Sequence, residues 1–116
     1  MATILIRMVN APYGSSDAEE GLDFAISATN FGHEVLMLFE GNGLYQLLKE
    51  QQPDDMTNQV KRLSALPFFD IEDCFVCEES SSSLSVSLSD LADFVSPVSG
   101  DEKIALFSQA NHVVTF

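Results

Sequence analysis

Val35-Leu36-Met37-Leu38-Phe39 is a continuous apolar run. It is too short for a helix and shows no polar alternation, the pattern of a strand buried on both faces. A second, mostly apolar run, Ile4 to Val9, lies upstream and is bounded by Asn10 and Pro12. Between the two, Ala18, Leu22, Ala25, Ile26 and Thr29 recur at three-to-four spacing, the single apolar stripe of an amphipathic helix. Ser16 followed by Glu19 forms a capping box that starts this helix near Asp17, and Gly32 closes it. Asp17, Glu19 and Glu20 fall at its N-terminal end, where the helix dipole favours acidic groups. Strand, helix and strand in this order make a βαβ unit, which implies a parallel sheet and a right-handed crossover.

The remaining chain continues the alternation. Glu40-Gly41-Asn42-Gly43 is a tight turn, and Leu44, Leu47 and Leu48 predict a short helix with Tyr45 half-buried beside it. Glu50 to Met56 is a polar loop. Thr57 to Leu66 predicts a second full helix, with Val60, Leu63 and Leu66 inward and Pro67 ending it. Phe68 and Phe69 cannot share one strand face, so one of them marks a protein–protein surface. Ser80 to Ser83 reads as a flexible connection, and the alternation of Leu84, Val86 and Leu88 with serines fits an edge strand or an extended docking segment. Ser89 is expected to cap a short helix through Val95 that Pro97 stops. Ser99 with Glu102 is another capping box and opens a helix to about Gln109. His112 to Phe116 is a final strand. The expected fold class is α/β: one three-layer domain with a mainly parallel sheet of about five strands.

Both cysteines lie in Asp70-Ile71-Glu72-Asp73-Cys74-Phe75-Val76-Cys77-Glu78-Glu79-Ser80, which reads as a buried strand followed by a polar turn. Their C-x-x-C spacing invites a disulfide or a metal, and strand geometry opposes both. Side chains alternate faces, so Cys74 and Cys77 point to opposite sides of the sheet. A zinc site needs further ligands, and the histidines, His33 and His112, are isolated at strand entrances and read as structural. Cys74 is then a small core hydrophobe. Cys77 ends its strand, and parallel sheets gather chemistry at the carboxyl ends of strands. It is the one candidate catalytic position, as a nucleophilic or sulfur-carrying thiol. Glu78 and Glu79 disfavour a thiolate there, and no Arg or Lys lies nearby in sequence to favour one.

Composition bounds the function classes. The chain has 18 acidic and 5 basic residues, a formal charge of −13. Binding to a nucleic-acid backbone needs a basic patch that Arg7, Lys49, Lys61, Arg62 and Lys103 do not form. An acidic chain disfavours anionic partners and could meet basic protein surfaces. No apolar stretch approaches the roughly 20 residues needed to span a bilayer, and the opening residues do not read as a signal peptide. Two unpaired cysteines fit a reducing compartment, so the expected location is the cytoplasm. The loop Asn10 to Ser15 lacks a P-loop lysine and a dinucleotide glycine pattern, and it is a poor phosphate cradle for flavin. No cofactor is implied.

Taken in order, several segments resemble the DsrE/DsrF-like sulfur-relay family (the TusBCD group), nearest its C-type, DsrF-like subunit. They are the first strand followed by Ala11-Pro12-Tyr13-Gly14-Ser15, then Glu20-Gly21-Leu22-Asp23, and Val35 to Phe39. After these come Gly43-Leu44-Tyr45-Gln46-Leu47-Leu48, Asp70 to Cys77, and the terminal Val113-Val114-Thr115-Phe116. The resemblance implies a flavodoxin-like fold over residues 1–116. It also implies a cytoplasmic heterohexamer of two heterotrimers with homologous TusB-like and TusD-like subunits. That complex passes persulfide sulfur towards a downstream sulfur carrier and the enzyme that 2-thiolates the wobble uridine of tRNA. In it the C-type subunit is mainly an assembly partner and the D-type subunit carries the working cysteine. Cys77 stands about where that cysteine lies. Glu78, Glu79 and the serine run replace the small-residue turn and arginine-containing helix opening of relatives, which favours a non-catalytic subunit. A persulfide carrier using Cys77 and an unrelated flavodoxin-like binding domain are the alternatives.

Overall fold

A computed structural model describes residues 2–13, 16–48 and 59–116, with backbone alone at 59 and 60. Its centre is a five-stranded sheet, β1 (Thr3–Met8), β2 (Glu34–Phe39), β3 (Asp73–Cys77), β4 (Ser96–Val98) and β5 (His112–Thr115). The strands run in the order β4-β3-β2-β1-β5 and every neighbouring pair is parallel. A parallel sheet must be covered on both faces. Alternation sends Ile4, Ile6, Met8, Val35, Met37, Phe39, Cys74 and Val76 to one side, where the helix α1 (Asp17–Asn30) and the segments around Leu44, Leu63 and Leu66 close the larger core. Leu5, Leu36, Leu38, Phe75 and Val98 point the other way, under the helix α4 (Gly100–Gln109) with Leu106, Phe107 and Ala110. The expected α/β class and parallel sheet are both present.

Local chemistry accounts for the helix ends. At α1, His33 N–H donates to Ala28 O and Gly32 N–H to Thr29 O, a Schellman closure with Gly32 at φ +86°. Ser99 and Glu102 form the reciprocal capping box that starts α4. The box expected at Ser16 does not form. The Ser16 hydroxyl instead donates to Glu20 Oε1 at 2.9 Å and gives the backbone no cap.

The middle of the chain departs from expectation in three places. The serine run Ser80 to Ser83, expected to be a flexible connection, falls within the short helix α3 (Glu78–Ser83). Glu78 and Glu79 occupy its first turn, where the dipole suits them. The turn after it is tied by Val86 N–H to Ser81 O and by the Ser81 hydroxyl to Val86 O, which folds Leu84 and Val86 onto the core. The alternating Leu84, Val86 and Leu88 therefore form no strand, and Leu88–Asp90 is one 3-10 turn capped by Ser87 rather than Ser89. Pro97 does not stop a helix but lies within β4. That strand is an outer one, where a residue without an N–H is tolerated.

Two further segments are tighter than expected. Gly41–Leu47 is a 3-10 helix, and the second helix is α in Gln59–Leu63 (α2), then 3-10 in Leu66–Phe69. The loop over Glu50 to Met56, the helix start at Thr57 and the Val60 side chain lie outside the described residues, as do Gly14 and Ser15.

Gly43 sets how closely the 3-10 segment approaches the sheet. A Cβ there would come within 1.8 Å of the Met8 carbonyl oxygen, which is backbone and cannot rotate away. Gly43→Ala is expected to cost at least about 3 kcal/mol by forcing two backbones apart. Gly32→Ala, with open space around its Cβ but positive φ, should cost only about 1–2 kcal/mol. Urea denaturation of the two variants checks this order.

Candidate functional site at the carboxyl ends of the strands

Strand register brings together three side chains that are far apart in sequence. Arg7 is paired with Leu38, and Leu38 with Phe75. These residues share the face under α4. Two residues on from Leu38 and Phe75 along their chains lie Glu40 and Cys77, on that same face. The α4 stripe of Lys103, Leu106, Phe107 and Ala110 turns towards the sheet, and Lys103 completes the group.

Glu40 is the hub. Its Oε1 accepts from Arg7 Nε and its Oε2 accepts from Lys103 Nζ at 3.2 Å. The Arg7 guanidinium also lies over the Phe107 ring, 5.4 Å from its centroid. Lys103 Nζ is in turn 3.9 Å from Cys77 Sγ. Burial lowers the affinity of the Lys103 amine for its proton. The hydrogen bond to Glu40, with the charges of Cys77, Glu40 and Glu79, outweighs that, and its pKa stands above the ordinary lysine value. Lys103 thus keeps its proton and places a cation beside a sulfur atom. Below the cluster, Gly41 N–H donates to Ser80 Oγ at 2.9 Å, joining the end of β2 to α3.

Cys77 sits at the carboxyl end of β3, as expected, but is only 2% exposed. Its cation, Lys103, escapes any local reading because 26 residues separate the two. Glu40 and Arg7 join the site in the same way, through contacts that are distant in sequence. The one available signal was a charged residue, Arg7, inside an otherwise apolar strand. Cys74 faces the larger core, and both thiols are free. Burial, with the nearby Asp73 charge, pushes the Cys74 thiol up to about 12. His33 Nδ1 accepts from Ala2 N–H at 3.2 Å, holding the entrance of β2, and His112 lies exposed at the start of β5. Among the described residues no group of three or more His, Cys, Asp or Glu is placed to hold a metal ion. No described helix is long and apolar enough to cross a membrane. Phe68 is 88% exposed and Phe69 38%, next to the start of β3.

The arrangement matches known proteins along nearly all of its length. The model of the DsrE/DsrF-like family matches residues 3–116. Protein TusC of Buchnera aphidicola subsp. Baizongia pistaciae is 42% identical over 71 residues, 60% of each chain. The TusC homolog of Vibrio parahaemolyticus is 30% identical over 116 residues, spanning 98% of this chain and 97% of that one. Among solved structures, the ychN protein from E. coli superposes with a TM-score of 0.85 over the full length of both chains at 23% identity. A protein of unknown function from Methanobacterium thermoautotrophicum does so with a TM-score of 0.74 at 12% identity.

The raised Cys74 pKa makes a stability prediction. The unfolded thiol ionises near 9 and the folded one near 12, so its contribution is fully present below pH 9 and is lost as pH rises towards 12. Over that window the wild type should lose up to about 1.4 kcal/mol per pH unit more than Cys74→Ala does. Urea midpoints taken at pH 8, 9, 10 and 11 measure the difference.

Proposed function

The chain belongs to the DsrE/DsrF-like family, and from that premise we propose that it is the C-type subunit of a cytoplasmic sulfur relay supporting 2-thiolation of the wobble uridine of tRNA. In this reading it assembles with homologous B- and D-type subunits as a heterohexamer of two heterotrimers, residues 1–116 acting as one domain. Sulfur moves through the D-type subunit to a downstream carrier and the thiolating enzyme. The observation that carries the reading is the match to a TusC homolog across 98% of the chain. A structural rather than sulfur-carrying part is supported by the burial of Cys77 beneath Lys103. An interface role is supported by Phe68, a large aromatic left almost wholly in water.

A second reading has one observation in its favour. A persulfide on Cys77 would have the Lys103 ammonium beside it, a charge that suits a sulfur anion. Intact mass after incubation with a cysteine desulfurase and cysteine separates the two. The assembly role predicts no added sulfur on this chain, with the adduct on a partner. An added sulfur that disappears in Cys77→Ser but persists in Cys74→Ser would establish the carrier instead. Phe68→Glu should leave the urea midpoint of the isolated chain unchanged and weaken association with the B- and D-type subunits about tenfold or more, read by co-purification and titration. If the wild-type chain neither takes up sulfur nor binds those subunits, the proposed function is wrong and the fold assignment remains.

A further inference from the structure

The cluster around Glu40 is layered from solvent inward. The Arg7 side chain is 33% exposed and that of Lys103 25%, while the Glu40 side chain is 9% exposed. Cys77 is 2% exposed, and its Sγ lies 3.9 Å from Lys103 Nζ. The two cations are not held alike. Arg7 is fixed twice, by Glu40 and by the Phe107 ring. Among the described residues the Lys103 ammonium donates to Glu40 Oε2 at 3.2 Å and to the weakly accepting sulfur at 3.9 Å. A lysine side chain has four rotatable bonds on its stem and can swing outward without moving the helix that carries it. Cys74 has no such movable cover, because it faces the core and is reached only when the sheet opens.

We propose that Lys103 is a lid over the Cys77 sulfur and Glu40 its catch, so that any reagent reaching Cys77 must first part Lys103 from Glu40. The device does not depend on the assembly role. It sets access to the thiol whether or not sulfur is ever carried there, and it makes Cys77 a thiol that can be uncovered by local motion while the fold stays intact. A group that competes for the Lys103 ammonium, such as a carboxylate presented by a bound protein, would open it.

Alkylation of the full chain with iodoacetamide at fixed neutral pH tests the proposal, with each site followed by peptide mass spectrometry. The thiolate attacks the methylene carbon, a C–S bond forms as C–I breaks, iodide leaves, and the thiol proton passes to the buffer. The reading is the ratio of the Cys77 rate to the Cys74 rate, so that general loosening of the fold, which exposes both thiols, does not imitate the effect. Lys103→Ala removes the lid, and Glu40→Gln weakens the catch by removing its charge while keeping its shape. Both variants should raise the ratio about tenfold or more over the wild type. A ratio that fails to rise in either variant overturns the proposal, and a fall in Lys103→Ala would mean that the ammonium promotes the reaction instead of covering the sulfur. Association with partner subunits, measured separately, is untouched by either result.

Discussion

An all-parallel sheet has no face to give to water, and that constraint organises this molecule. Every strand needs cover on both sides, so the helices divide between the two faces, and the only places left for polar chemistry are the strand ends. One face is sealed by α1 and the segments around Leu44, Leu63 and Leu66. The other is sealed chiefly by α4, whose apolar contacts are Leu106, Phe107 and Ala110. Where that single helix runs out of apolar cover, at its first turns, the sheet presents Arg7, Glu40 and Cys77, and the helix answers with Lys103. The polar cluster is therefore a consequence of covering a wide face with one helix.

Glu40 makes this arrangement tolerable. A carboxylate withdrawn from water is costly unless it is paired and hydrogen-bonded, and here both oxygens are engaged by cations. The same pairing engages two of the five basic residues, Arg7 and Lys103. Arg62 is paired as well, with the exposed carboxylates of Glu19 and Asp23. With 18 acidic residues against 5 basic ones, the chain carries a formal charge of −13, so its exterior is strongly negative.

The serine-rich segment shows how composition can mislead. Serine is a weak helix former because its hydroxyl competes for backbone groups. In α3 that competition is turned to use, since the Ser81 hydroxyl bonds to the Val86 carbonyl beyond the helix and pins the following turn. Ser85 then takes a positive φ, and Leu84 and Val86 reach the core. A period of two in the sequence was real but did not mean a strand, because the two apolar residues converge from a turn rather than alternate along an extended chain.

The sequence by itself determined four of the five strands, all but β4, and the two long helices. The apolar runs at Ile4–Val9, broken only by Arg7, and at Val35–Phe39, the stripe from Ala18 to Thr29, and the Ser99–Glu102 box are local signals, written within a few residues and read by local geometry. It also determined that Cys74 and Cys77 face opposite ways, since alternation along a strand leaves no choice. Only the tertiary structure decided what surrounds Cys77. Local sequence offers it Glu78 and Glu79, whereas register and the crossing of α4 bring Lys103, Glu40 and, through Glu40, Arg7. The reason is physical: periodicity reports which face a residue takes, but which side chains meet on that face depends on strand order and on where a distant helix crosses the sheet, and neither is encoded within a few residues of the cysteine.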